Sequence, residues 1–151
     1  MLSLQSCKVE SLLDPGATIA TSATAVGYID TLGWDEAKIL VQFGATHATT
    51  TVTATACALS EGTNSAAATA IVAFTGGTVT SASVGYVIAK AENTVNGSVI
   101  AFNVNLIDRE RYLKVSVTPA VADYVGILAI LARGHVMPGS DDGSVANNVT
   151  G

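Results

Sequence analysis

The sequence predicts an all-β protein, a two-sheet antiparallel β-sandwich that is jelly-roll-like, with an immunoglobulin-like sandwich as the alternative strand order. Three observations lead there. Short runs of strand-forming residues recur between turn residues along the whole chain. Several of these runs alternate polar and apolar side chains, the period of a half-buried strand. The stretch RERYLKVSVTPAVADYVGILAILARGHVM, from Arg109 to Met137, holds two β-type runs split by a Thr118-Pro119 corner. Its second run, Tyr124 to Arg133, is apolar at nearly every position, so both of its faces need cover. Those ten residues are too few to cross a bilayer, which leaves a second sheet or a neighbouring subunit to supply the cover.

Eight strands are expected in order, near 17–29, 36–43, 48–59, 67–74, 83–90, 97–106, 111–118 and 124–133. Breakers separate them: Leu32-Gly33, Gly44, Glu61 to Asn64, Gly76-Gly77, Asn93 to Gly97 and Thr118-Pro119. In the second strand Ile39, Val41 and Phe43 share one face and Lys38, Leu40 and Gln42 the other. In the third, Val52, Ala54, Ala56 and Ala58 alternate with Thr51, Thr53, Thr55 and Cys57. Thr-rich strands hold a sheet through their branched Cβ, yet they add little apolar area. The Ala run from Ser65 to Ala70 is short for a helix and reads as a loop leading into a strand. Trp34, Phe43, Phe74, Phe102 and Leu128 are expected inside, each contributing roughly 1.5–3 kcal/mol by burial.

At 151 residues the chain fits one domain, a sandwich over 17–137, with an extended arm at 1–16 and a tail at 138–151. Both ends are rich in Ser, Asp, Asn and Gly and are expected to lie against another chain. Charged residues make up only 13% of the chain, roughly half the usual share, and a surface so poor in charge is often covered. The net charge of −5 and the scattered basic residues leave no nucleic-acid footprint. Cys7 and Cys57 have no His or Cys beside them at metal-ligand spacing, so free thiols are expected over a disulfide. No basic n-region or signal-length apolar run opens the sequence, and synthesis in a cytoplasm is the expectation.

The inventory of reactive groups is nearly blank. His47 and His135 each lack a third group beside them in sequence and read as surface or boundary histidines. The Glu61 to Asn64 and Asp141-Asp142-Gly143 segments lack the alternating oxygen ligands of a calcium loop and read as solvated turns. No glycine pattern has phosphate-loop spacing. Asp108 and Glu110 flank Arg109 and Arg111, so mutual charge pairing is simpler than a paired-carboxylate site. No catalytic residue, cofactor or metal is assigned. The charged cluster has two readings, a solvated strand end or an electrostatic contact with a neighbouring subunit. Its residues Asp108, Arg109, Glu110, Arg111 and Lys114, together with Trp34 and Arg133, are the candidate contacts with a neighbouring subunit.

Three blocks of sequence then suggest a family. They are KVESLLDPGATIATSATAVGYIDTLGWDEAKILVQFGA, TATACALSEGTNSAA and RERYLKVSVTPAVADYVGILAILARGHVMP. Together they resemble small structural proteins encoded among the head genes of tailed bacteriophages. The resemblance rests on Gly27, Ile29, Asp30, Gly33, Trp34 and Asp35, on the strand from Arg111 to Pro119, and on a hydrophobic last strand followed by Arg133 and Pro138. It spans about residues 8 to 138. What it implies is a non-enzymatic virion component, most simply a capsid cement or decoration protein. Such a β-sandwich binds the outside of the icosahedral shell as an oligomer, often a homotrimer. There it bridges major capsid subunits, with neither nucleic acid nor membrane as partner. The alternatives are a tail or head–tail adaptor component, or a carbohydrate-binding jelly roll, for which Trp34 would be the stacking residue.

Overall fold

A computed structural model describes residues 7–16, 18–44, 52–66, 69–70, 78–81, 85–89, 98–133 and 147–150. These residues form twelve strands and no helix: β1 (Cys7–Leu13), β2 (Thr18–Ile19), β3 (Ala25–Asp30), β4 (Glu36–Phe43), β5 (Val52–Gly62), β6 (Thr69–Ala70), β7 (Thr78–Ser81), β8 (Gly85–Ala89), β9 (Ser98–Asn105), β10 (Tyr112–Pro119), β11 (Asp123–Ala132) and β12 (Asn147–Thr150). His47, Phe74, Gly76-Gly77, His135 and the Asp141-Asp142-Gly143 turn lie outside the described residues.

Two sheets result. One runs β1-β11-β4-β9-β12 with β2 also on β11, the other β3-β10-β5-β8-β7 with β6 on β5. Every pairing is antiparallel except β12 with β9. Taken in chain order, the eight main strands β1, β3, β4, β5, β8, β9, β10 and β11 pair first with last and inward from there: β1–β11, β3–β10, β4–β9, β5–β8. A long hairpin wound on itself in this way is the jelly roll, as the sequence predicts. Thr118 and Pro119 end β10, and just after them, over Ala120 to Ala122, the chain leaves one sheet for the other, since β10 and β11 lie in different sheets.

The core is the layer between the sheets. From one sheet come Ile39, Val41, Phe43, Ile100, Phe102, Val104, Val125, Ile127, Ala129 and Leu131; from the other come Ile29, Cys57, Leu59, Leu113, Val115 and Val117, all essentially sealed from solvent. The alternation expected in β4 is observed, with Ile39, Val41 and Phe43 inside. At the β1/β3 edge the sheets come so close that a Cβ on Gly27 would stand 2.9 Å from Leu12 Cβ, which only glycine avoids.

Five expectations are corrected. Cys7–Leu13, expected as part of an extended arm, is the first strand of the sandwich, and Asn147–Thr150 in the expected tail is an edge strand on β9. The strand expected over 17–29 is broken by a turn in which Ser22 takes a left-handed φ of 68°, leaving β2 and β3. The alternation of β5 changes phase: the ladder shifts between Ala54 and Cys57, so both point inward while Ala56 and Ala58 stay half-buried. Leu128 is not a core residue. It lies half-buried on the outer face of β11, and Ile127 holds the inner position. Phe43 and Phe102 are inside as expected, and Trp34 packs against the core from its margin.

The faces of β11 make a direct test. Ile127→Ala is expected to cost about 2–5 kcal/mol, the range for a truncated core side chain. Leu128→Ala should cost less than about 1.5 kcal/mol because its side chain is already part wet. Urea melts of the two variants check this, and equal losses would contradict the assigned faces.

Candidate functional site

Six of the seven candidate contact residues come together at one end of the sandwich, where β3, β5, β9 and β11 finish and β4 and β10 begin. The turns there are laced to one another. The backbone N–H and Oγ1 of buried Thr31 both donate to the Arg111 carbonyl, at 2.9 and 2.6 Å. Trp34 N–H donates to the Thr31 carbonyl at 3.0 Å, Asp35 N–H to that of Ala132 at 3.1 Å, and Leu106 N–H to that of Asp35 at 2.9 Å. Gly33 takes a φ of 81°, which glycine adopts without strain, and its carbonyl accepts Arg133 Nε–H at 2.7 Å.

The charges pair with distant residues and not with their sequence neighbours. Arg111 makes a two-pronged contact with Asp30, Nε–H to Oδ1 at 2.9 Å and Nη2–H to Oδ2 at 2.7 Å, and its guanidinium lies 4.8 Å from the centre of the Tyr112 ring. Arg109 sits 3.6 Å from Glu61, whose other carboxylate oxygen accepts Glu110 N–H at 3.3 Å. The expectation that Asp108 and Glu110 neutralise the two arginines is thereby corrected. Both acids are exposed on the turn, where Asp108 takes a φ of 64°. Arg133 stacks over the Trp34 ring at 5.2 Å, so the indole is a half-buried platform already occupied. Lys114 stands apart, on the outer face of the second sheet between Tyr28 and Ser60.

Two residues at this end carry no sequence-level prediction of contact. Leu32 and Ile107, each at the tip of a laced turn, are 66% and 61% exposed. Asx turns hold both: Asp30 Oδ1 accepts Leu32 N–H at 3.1 Å and Asn105 Oδ1 accepts Ile107 N–H at 3.0 Å. A large apolar residue at the apex of a turn is the signal that would have marked them.

Elsewhere, a groove of about 210 Å³ opens on the outer face of the first sheet between Leu13, Pro15, Leu40, Val99 and Leu128. Among the described residues it is lined by no ionisable side chain. Cys57 is sealed in the core, and burial pushes its thiol up to about 12. Both cysteines are free, with Cys7 half-buried. Compared with known proteins, the chain matches no family model, no curated protein and no solved structure.

Two outcomes follow from these environments. The Arg111 hydrogen bond holds the Asp30 carboxyl down to about 2, from an ordinary 3.8. Its folded value lies below its unfolded one, so the stabilisation is complete above about pH 4 and disappears as pH falls toward 2. Denaturation midpoints of wild type and Asp30→Asn should differ at pH 5 and converge near pH 2. At pH 8, iodoacetamide should label Cys7 in the folded protein and leave Cys57 untouched, read by mass spectrometry.

Proposed function

We propose that the chain is a structural component of a bacteriophage head, a cement or decoration protein. In this reading it binds the outer surface of the icosahedral shell as an oligomer and bridges major capsid subunits. The observation that carries the reading is the laced end of the sandwich. Its cations are engaged with Asp30, Glu61 and Trp34, and two rigid turns present Leu32 and Ile107 to solvent. Apolar tips on preorganised turns dock with little ordering cost, and the surrounding exposed Asp35, Asp108 and Glu110 give register through charge. Jelly rolls recur in viral capsid domains, a fold-level analogy that agrees with the sequence resemblance.

The mechanism is linkage. A protein that binds the closed shell and not its separated subunits stabilises the shell by its binding free energy. Contacting two capsid subunits at once makes the second contact effectively intramolecular, which strengthens the bridge without new chemistry. The protein would be made in the bacterial host cytoplasm and carried on the virion.

Particles assembled without this protein should form closed shells that burst at a lower temperature, and adding back purified wild type should restore the burst temperature. The Leu32→Asp/Ile107→Asp variant should remain folded and fail to restore it. Equal heat tolerance with and without the protein would defeat the reading.

A further inference from the structure

The first sheet ends in an edge strand whose sequence is its own complement. Among the described residues β1 pairs only with β11, through Cys7↔Ala132 to Leu13↔Ile127, so its other side presents unpaired backbone groups. Along it lie Lys8, Val9 and Glu10, with Lys8 Nζ 3.0 Å from Glu10 Oε2 on one face and Val9, 65% exposed, on the other. Charges on an edge strand ordinarily discourage pairing with other chains. Opposite charges placed symmetrically about one residue instead select a single partner and a single register.

We propose that two copies of this chain pair antiparallel through β1, about a two-fold axis at Val9. In that register Lys8 of each copy faces Glu10 of the other, twice, and Cys7 of each faces Ser11 of the other. Val9 meets its own counterpart, an isologous contact. Sliding the register by two residues in either direction breaks the match between Lys8 and Glu10. The apolar surface is continuous with this seam, since Val9 lies opposite half-buried Ile130 in the β1–β11 ladder. Pairing would extend that row across both copies as Ile130, Val9, Val9 and Ile130, and would join the two first sheets into one.

This contact supplies the self-association in the reading above and rests on it to that extent, with a dimer where the family resemblance implies a trimer. Its test needs no shell, so the two proposals fail separately. Light scattering of the full chain should give twice the 15.2 kDa chain mass. Lys8→Glu places like charges opposite Glu10 and should weaken the dimer about tenfold or more, whereas Lys8→Glu/Glu10→Lys restores the complement and the affinity. Directly opposed residues in an antiparallel pair have Cα atoms roughly 4.5–5.5 Å apart, within disulfide range. Ser11→Cys should therefore cross-link under mild oxidation to Cys7 of the second copy, with the bond located by peptide mapping. A monomer at millimolar concentration without cross-links would overturn the proposal. So would a cross-link between the two Cys7 residues, or an oligomer indifferent to the charge at position 8.

Discussion

The position of β11 depends on a constraint its hydropathy does not supply. The strand is apolar on both faces, Ile127, Ala129 and Leu131 inside and Leu128 and Ile130 outside, so sliding it by one residue would exchange one greasy row for another. Three features at its start break the degeneracy. Asp123 is buried there and accepts the Tyr124 N–H at 2.7 Å, while a Cβ on Gly44 would fall 2.5 Å from its carboxylate. Gly126 lies beneath Pro15, where an added Cβ would be 3.3 Å from the proline ring. A slip would drive Val125 or Ile127 into that space and carry the Asp123 carboxylate away from the gap that Gly44 leaves for it. The register is therefore held by polar and steric detail, and the hydrophobic rows follow.

With β11 placed, the rest of the sandwich is set in sequence. It fixes β1 on one side and β4 on the other, and β4 in turn fixes β9. The corner at Pro119 then carries β10 into the facing sheet, where it is held between β3 and β5. Because β10 begins where β3 and β5 end, Arg111 and Arg109 arrive beside Asp30 and Glu61. The charge cluster is thus a product of the nested topology. It engages the arginines internally and leaves exposed carboxylates, Asp108 and Glu110 among them, to set the charge of that end.

The parts of this fold legible in the sequence were those fixed by local pattern. Strict alternation located β4 and its buried face, and the turn residues around 118–119 separated β10 from β11. What escaped was decided by distant residues. Leu128 was misplaced because both faces of β11 are apolar and pattern cannot choose between them. β1 was missed because Lys8, Glu10 and Ser11 dilute its apolar residues, and its place depends on β11 at the far end of the chain. The bulge in β5 reverses its faces through pairing with β8 and β10. Most of the candidate contact residues share one end of the sandwich, a placement no local pattern announces. Their partners Asp30 and Glu61 lie far off in sequence, and no spacing rule connects them to the arginines.

The nested pairing also bears on what such a molecule can withstand. The first main strand is hydrogen-bonded to the last, so neither can peel from the sandwich without breaking the ladder that holds the other. Contacts this remote in sequence make folding slow, because loop closure precedes any compensating contact. The same arrangement leaves no terminal main strand attached only to its chain neighbour. In the proposed bridging role, that is the property that would resist load. The Leu32 and Ile107 turns each join one sheet to the other, β3 to β4 and β9 to β10, and the Thr31–Arg111 and Asp35–Leu106 hydrogen bonds tie each turn to a neighbouring strand end, so in that role a pull on either tip would bear on both sheets.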